Sequence, residues 1–293
     1  MLKRLLNNHQ VVFLGPINLY LAFWTLFPTL YMLVLSFTNW KIPYPIKFIG
    51  FGNYLEAVKS PLFWYSVRVT LTFAVVASLS ELLLGFAIAL LLNRQSFLST
   101  VVRGFLIVPM VLTPVVTAMM WRYLYNPSFG PLNYVLSFVG LGPYEWHSAV
   151  STVWPSLLLI DIWQWTPFPA LLLLSGLYAL PQDLYEAAAA DGANALQRFV
   201  HLTVPLLRPL LLAAFLLRFL DALKLFDSVF VLTRGGPGTT TEVLSFHIYH
   251  YGIGEFFRVG YGSAMSILVL IMSAILSLVC IRFFFAREEL SNV

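Results

Sequence analysis

The sequence has little charge and a single cysteine. Only 10% of its 293 residues are charged, 59% are hydrophobic, and the mean hydropathy is +0.82. Because a soluble domain carries about 25% charged residues, this composition excludes a soluble globular protein. The aromatic content of 16% also excludes a disordered chain. The lone Cys280 excludes an internal disulfide framework and a thiolate metal cluster.

Several motifs of catalysis are also missing. No lysine follows the glycines of the pattern G-x-x-x-x-G-K-S/T, so ATP hydrolysis is not encoded in this chain. The patterns G-x-S-x-G and H-E-x-x-H are absent as well. His247 and His250 lie three residues apart, but a pair without nearby carboxylates is more typical of a hydrated loop than of a metal site. We therefore expect no catalytic residues, no metal and no cofactor here. The formal charge of +4 favours lysine and arginine at a membrane interface over nucleic-acid binding.

Long apolar runs dominate what the sequence does contain. A helix needs roughly 20 apolar residues to cross a bilayer. Six segments meet this length, at residues 11–37, 69–92, 104–124, 149–180, 207–232 and 261–285. The first run is too long for the core of a signal peptide and no small-x-small cleavage site follows it, so we expect a retained helix. The pattern predicts an all-α integral membrane protein with one transmembrane domain over residues 1–293.

The distribution of basic residues does not orient these helices. An even number of spans puts both termini on one side of the membrane. With the N-terminus inside, eight lysines and arginines fall on the inner side and seven on the outer side. The charge bias therefore permits cytoplasmic termini without deciding for them.

The fifth apolar run contains a row of charges. Arg218, Asp221, Lys224 and Asp227 recur every three residues, a spacing that allows successive pairing along one helix. Charged groups in hydrocarbon cost roughly 2.5–3.5 kcal/mol each on insertion scales. The row is either a self-neutralised stripe against a partner subunit or the lining of a polar pathway, and the pathway is favoured for Arg218 and Asp221. Glu81, in the second run, is either a partner of Arg218 or a packing charge.

The fourth run combines a carboxylate with aromatic residues and prolines. Asp161 precedes Trp163 and Trp165, and Pro167 and Pro169 follow. Carbonyls freed by proline are tolerated in a membrane where they line a cavity. Indole faces next to carboxylate and amide groups are suited to a sugar, although each tryptophan alone is more often a packing residue.

The connection at residues 181–209 predicts two helices on the membrane face. Pro181 begins the first helix, Asp183 and Glu186 are spaced as a capping box, and an alanine run follows. Gly192 permits a reversal, after which apolar residues recur at helical spacing until Pro205 and Pro209 end the second helix. Such a shallow, small-residue surface fits either docking into a groove of another protein or an amphipathic connector lying on the membrane.

This connection resembles the EAA loop of ABC importer permeases. The family pattern E-A-A-x-x-D-G-A matches Glu186, Ala187, Ala188, Asp191, Gly192 and Ala193. Phe199, Leu202, Pro205, Leu207 and Pro209 continue the pattern, with leucine at 202 in place of isoleucine. Further matches to sugar importers of the maltose and glycerol-phosphate type cover nearly the whole chain; they include 51–54, 126–130, 232–237 and 260–265.

The resemblance implies a type I importer permease fold with a cytoplasmic loop at 181–209. It implies that residues 186–193 form the coupling helix seated in an ATPase subunit, and that both termini are cytoplasmic. It also implies a second permease, two copies of an ABC ATPase that bind ATP and Mg²⁺, and an extracytoplasmic solute-binding protein. The positions matching Asp161, Trp163, Phe168, Arg218 and Asp221 lie in or near the sugar site of maltose-type permeases. Several side chains here differ from the maltose pattern, so the solute need not be maltose.

Two other functions remain compatible with the membrane charges alone. A secondary transporter would use Glu81, Asp161 and Asp221 as a proton or ion relay and would need no ATPase. A membrane-embedded enzyme would use Asp161 or Asp221 as a general base. Neither accounts for the EAA pattern, which favours the permease of an importer.

Overall fold

The computed structural model describes residues 9–94 and 96–289, and these residues are mainly helical. We number the α-helices α1–α14 in chain order. They are α1 His9–Ser36, α2 Gly52–Lys59, α3 Pro61–Leu92, α4 Phe97–Val111, α5 Pro114–Leu124, α6 Pro131–Ser137, α7 Val150–Trp165, α8 Pro167–Ala179, α9 Gln182–Ala190, α10 Ala195–Arg198, α11 Val204–Ala222, α12 Asp227–Leu232, α13 Leu244–Tyr249 and α14 Val259–Glu289. Two π-helical turns, Phe199–Thr203 and His250–Gly254, complete the helical elements. The described residues include one isolated β-bridge, between Thr38 and Phe48, and no longer strand.

Among the residues that the structure describes, five helical segments are long and apolar enough to span a bilayer. They are Leu14–Ser36, Pro61–Leu92, Val150–Ala179, Ala195–Ala222 and Val259–Val279. A sixth span results if the bent pair α4 and α5 is counted as one crossing. All six predicted runs therefore correspond to helical segments, but the bounds of three need correction.

The second span begins earlier than predicted, at Pro61 rather than residue 69. The fifth also begins earlier, because helical structure continues from Ala195 through the π-turn to Ala222. Pro205 and Pro209 lie within this continuous segment, so the prediction that they end a separate second helix was wrong. The predicted fifth run extended to residue 232, but α11 ends at Ala222 and α12 is a separate short helix.

The third span is broken rather than continuous. The axes of α4 and α5 differ by 100° across Leu112 and Thr113. Pro114 is the cause, since it has no N–H to donate and disfavours helical backbone in the residue before it. The side-chain amide of Gln164 donates to the Leu112 carbonyl at 2.9 Å, which satisfies a backbone group that the break leaves open.

The described chain divides into two compact units. One comprises the residues up to Trp64 together with Ile248–Ala274, and the other comprises Tyr65–His247 together with the residues from Ile275. In the first unit, the Asn53 amide donates to the carbonyls of Ser36 and Thr38 at 2.9 and 2.7 Å. Arg258 donates to both oxygens of Glu56 at 2.7 and 2.6 Å, and these hydrogen bonds raise the pKa of Arg258. The single domain over residues 1–293 stays a prediction.

Small residues allow close helix packing in the second unit. A Cβ at Gly85 of α3 would lie 2.9 Å from the backbone nitrogen of Ala170 on α8. A Cβ at Gly176 of α8 would overlap the side chain of Leu210 on α11. Glycines at such crossings let helix backbones approach, which is how van der Waals packing holds helices together in lipid. The three helices α3, α8 and α11 thus form the apolar support for the polar residues described next, with a core of Ala89, Leu92, Leu173, Leu174, Leu177 and Leu207.

Candidate functional site

A buried arginine lies at the centre of the charged residues in the spans. Arg218, on α11, has only 4% of its surface exposed. Its Nε and one terminal nitrogen donate to the two carboxylate oxygens of Glu81 at 2.6 and 3.0 Å. The other terminal nitrogen, Nη1, donates to Asp221 at 2.7 Å. The Nη2 group that binds Glu81 also donates to Asp161, at 3.4 Å. The guanidinium also lies 4.8 Å from the centre of the Trp165 ring.

Three different helices supply the acidic partners of this arginine. Glu81 comes from α3 and is fully buried, Asp161 comes from α7, and Asp221 lies one turn after Arg218 on α11. The role of Glu81 was open from the sequence, and the structure makes it the bidentate partner of Arg218. Such paired, planar contacts are the strongest that a guanidinium makes with carboxylates. The single guanidinium of Arg218 therefore lies among three carboxylates of the same chain.

A polar cavity of about 320 Å³ opens beside this network. Asp161, Arg218 and Asp221 line it, while their role in a polar pathway stays a prediction. The Asp221 side chain is about half exposed, so its carboxylate remains accessible while it binds Arg218. The other lining residues are Pro114, Gln164, Trp165, Ala222, Lys224, Leu225, Phe226, Asp227 and Ser228. The wall thus offers carboxylates, an amide, an ammonium and an indole, which are groups that bind hydroxyls and cover C–H surface.

Two predicted path residues lie elsewhere. Trp163 packs edge-to-face against Trp121 at 5.8 Å, and neither Trp163 nor Phe168 is among the residues that line the cavity. Residues three and four apart share a helix face, so Gln164 and Trp165 accompany Asp161 whereas Trp163 points away from it. Helical periodicity was the signal that would have selected Gln164 and Trp165 over Trp163.

The predicted row of charges on one helix ends after its second member. Arg218 and Asp221 pair on α11 as expected, but the helix ends at Ala222. Lys224 lies in the following turn, and Asp227 begins α12. Both still line the cavity, so the chain reversal at 223–226 brings them to the same site by a different route.

The connection at 181–209 forms the first predicted helix as α9, whereas the second continues into the fifth span, and the capping differs from the prediction. Pro181 occupies the N-cap of α9 and no side chain caps this end, so the predicted box of Asp183 with Glu186 was wrong. The capping box lies at the second helix, where Asn194 accepts from the Gln197 backbone at 2.9 Å and Gln197 accepts from the Asn194 backbone at 2.8 Å. Asn194 precedes α10, where the four first N–H groups need acceptors.

Gly192 ends the first of these helices. Its φ is +83°, in the left-handed region that glycine adopts without cost. The Gly192 N–H binds the Ala189 carbonyl at 3.1 Å, and the Ala193 N–H binds the Ala188 carbonyl at 2.9 Å. This is the Schellman arrangement, which satisfies the last carbonyls of a helix and reverses the chain. The predicted reversal at Gly192 is confirmed.

The surface of α9 is not covered by other parts of the described chain. None of its residues is buried, and Glu186, Ala187, Asp191 and Gly192 are exposed. The Tyr185 hydroxyl and the Thr203 hydroxyl are 2.9 Å apart, which ties α9 to the π-turn. From there the helical segment Ala195–Ala222 runs on to Arg218, so one continuous helix joins this loop to the charged network.

His247 and His250 have carboxylate partners, contrary to the expectation from the sequence. His247 Nδ1 lies 2.7 Å from Glu242, and His250 Nε2 lies 2.6 Å from Glu255. Each histidine thus pairs with the glutamate five residues before or after it. Among the described residues, no group of three or more possible metal ligands occurs.

Comparison with known proteins identifies the family. A family model described as "Binding-protein-dependent transport system inner membrane component" matches residues 81–287. The chain belongs to this family. It is therefore a transport permease of the inner membrane rather than an enzyme, which confirms the resemblance drawn from the EAA pattern.

Individual relatives match over most of the chain. The trehalose/maltose transport system permease protein MalF of Thermococcus litoralis is 41% identical over 77% of this chain and 76% of its own length. The sulfoquinovosyl glycerol transport system permease protein SmoG of Agrobacterium fabrum is 31% identical over 93% of this chain and 89% of its own. A solved bacterial ABC transporter involved in the import of alginate is similar in fold, with a TM-score of 0.81, 22% identity and 94% coverage of both chains. The predicted all-α importer permease fold is thus confirmed.

Proposed function

We propose that this permease forms part of the path for a sugar or sugar derivative in an ATP-driven ABC importer. The names of its relatives support the solute class, since they transport trehalose, maltose and a sulfoquinovosyl glycerol. The observation that carries the proposal is the polar cavity around Asp161, Arg218 and Asp221, which lies in the membrane-spanning helices of a family member.

The charges around the cavity favour a neutral solute over an anionic one. Arg218 already binds three carboxylates, so its guanidinium has no donor pair left for a phosphate or carboxylate. Counted by formal charge, the three acidic lining residues, Asp161, Asp221 and Asp227, outnumber Lys224 and Arg218. The half-exposed Asp221 and the amide of Gln164 are suited to sugar hydroxyls, and Trp165 is suited to the apolar face of a sugar ring.

The loop at 181–209 is proposed to couple this path to ATP hydrolysis in separate subunits. An exposed helix of small residues fits a groove of a partner protein, and Glu186 to Ala193 form that helix and its reversal. In this scheme ATP and Mg²⁺ bind to two copies of an ABC ATPase, a second permease completes the path, and a solute-binding protein delivers the solute. The loop and both termini are cytoplasmic. ATP drives the cycle because it binds one conformation better than the other.

Affinity capture from membranes in mild detergent tests the proposal. Recovery of an ATPase, a second EAA-bearing permease and a solute-binding protein supports it. The captured complex is then reconstituted in liposomes and assayed with radiolabelled trehalose, with and without ATP inside. ATP-dependent uptake supports the importer, and competition by unlabelled neutral sugars or by sugar phosphates distinguishes the solute class.

One observation is also compatible with a secondary transporter that couples transport to protons or ions. Glu81, Asp161 and Asp221 do lie together around Arg218, as a proton or ion relay would require. If the chain is captured alone and transports after reconstitution without ATP, the importer proposal is wrong and the relay is favoured.

A further inference from the structure

The loop between α5 and α7 has an inverted distribution of polar and apolar side chains. Residues 126–144 contain no aspartate, glutamate, lysine or arginine. On the short helix α6, the polar Asn133 is buried, while Tyr134 and Val135 are 66% and 60% exposed. On an aqueous surface the amide would face outward and the aromatic and aliphatic side chains inward. We call residues 126–146 the inverted loop.

The two asparagine side chains of the inverted loop form hydrogen bonds within the loop. Asn133 accepts from the Tyr144 N–H at 3.1 Å and from the Trp146 indole at 2.9 Å, and it donates to the Tyr144 carbonyl at 3.0 Å. Asn126 accepts from the backbone N–H groups of Ser128 and Phe129. Internal satisfaction of this kind is what an apolar environment demands of a polar group.

The inverted loop is held firmly against the spans. Trp146 stacks on Tyr125 at 5.2 Å, and the Tyr125 hydroxyl donates to the Ser156 carbonyl of α7 at 2.9 Å. The Ser156 hydroxyl donates to the Trp146 carbonyl at 2.7 Å. These contacts therefore hold the outward apolar face in a defined position. Its exposed members are Phe129, Tyr134, Val135, Phe138, Val139 and Leu141.

This face continues the exposed apolar surface of a span. Val116, Met119 and Tyr123 of α5 are all exposed in the chain, and α5 leads directly through Tyr125 into the inverted loop. Charged residues return only at both ends, with Arg122 before the loop and Glu145 at its end. An aromatic, uncharged segment with charges only at its margins matches the boundary between lipid headgroups and acyl chains.

We infer that the outward face of the inverted loop lies in the lipid interface of the membrane, as an anchor parallel to the surface. The solute-binding protein is a poorer occupant, because a docking surface for a soluble protein meets water in each cycle and carries a polar rim. The inference depends only on membrane insertion of the chain, so it holds whichever solute is transported.

Spin labels measure this directly, because the chain has one cysteine to remove. In a Cys280→Ser background, single cysteines replace Tyr134 and Phe138, and the labelled transporter is reconstituted in lipid nanodiscs. Met119→Cys serves as the control within a span, and Ser148→Cys, next to Glu145, serves as the control in water. Collisions with oxygen, which concentrates in lipid, are compared with collisions with a water-soluble nickel chelate.

Labels at 134 and 138 are expected to favour oxygen over nickel severalfold, between the Met119 and Ser148 controls. Preference for nickel at both positions would overturn the inference, and protection from nickel on adding the binding protein would then identify a docking surface. Low accessibility to both reagents would also overturn it, because the face would then be covered by another protein chain.

Discussion

The charged side chains around Arg218 are paired within the chain, whereas the residues of helix α9 are mostly exposed. In the spans, Arg218 finds all its acidic partners in its own chain, and the fully buried Glu81 contributes two of the contacts. In the loop, α9 leaves every residue at least partly exposed, and the Tyr185 hydroxyl ties it to Thr203. The difference follows from the solvent. Lipid hydrocarbon offers no hydrogen-bond partner to a charged group, whereas water solvates an exposed surface until another subunit binds it.

The largest expected effect comes from breaking the network at Glu81. Glu81→Ala leaves Arg218 without its bidentate partner in a buried site, and loss of one partner of a buried pair costs about 3–5 kcal/mol. We expect this loss in the free energy of unfolding, measured in mixed micelles. Glu56→Ala is the matched control, because it breaks the bidentate pair with Arg258, where the Glu56 side chain is half exposed. An exposed pair costs about 0–1 kcal/mol, so equal losses in both variants would contradict the comparison.

Changes in the coupling loop are expected to spare the fold and abolish transport. Glu186→Lys and Gly192→Asp should lose uptake and ATPase coupling while the chain still inserts, because these residues form the proposed docking surface. Gly238→Asp controls for backbone cost, since Gly192 and Gly238 both have positive φ and open space around them. The left-handed conformation costs about 1–2 kcal/mol at either position. Normal ATP-dependent uptake in the Glu186 and Gly192 variants would remove the coupling role.

A smaller effect is expected when the accessible carboxylate of the network is removed. Asp221→Ala takes one acceptor from Arg218 and one polar group from the cavity wall. A hydrogen bond to a charged group contributes about 1.5–3 kcal/mol, so uptake should fall about tenfold or more. Basal ATPase activity of the reconstituted complex should change little. An equal fall in both activities would mean that the variant damages folding rather than the path.

The smallest expected effect concerns helix capping in the loop at 181–209. Asn194→Ala removes the capping box of α10, and an N-cap contributes about 1 kcal/mol to helix stability. Asp183→Ala is the control, because α9 has no side-chain cap. Hydrogen exchange at residues 195–199 should increase in the Asn194 variant, whereas exchange at residues 183–186, in the first turn of α9, should stay unchanged in the Asp183 control. Faster exchange in the control instead would restore the capping role that the sequence assigned to Asp183.

The sequence predicted the spans better than the contacts among them. Apolar runs located all six segments, but the break before Pro114 was missed because a proline in an apolar run is equally compatible with a kink inside a continuous helix. The same ambiguity affected Pro205, which lies in the first turn of α11 just after the π-turn, and Pro209, which lies inside α11. The capping box predicted at Asp183 was wrong because the backbone places Pro181 at the N-cap and Asp183 within the first turn of α9.

The sequence alone determined that this protein lies in a membrane, because its charge density cannot cover a water-exposed surface. It also determined the family, since the spacing from Glu186 to Pro209 is specific. Only the tertiary structure decided which carboxylate neutralises Arg218, because Glu81 lies 137 positions away and reaches it through the packing of α3 against α11. It also decided that Lys224 and Asp227 line the cavity although α11 ends at Ala222, because helical spacing does not extend past the end of a helix.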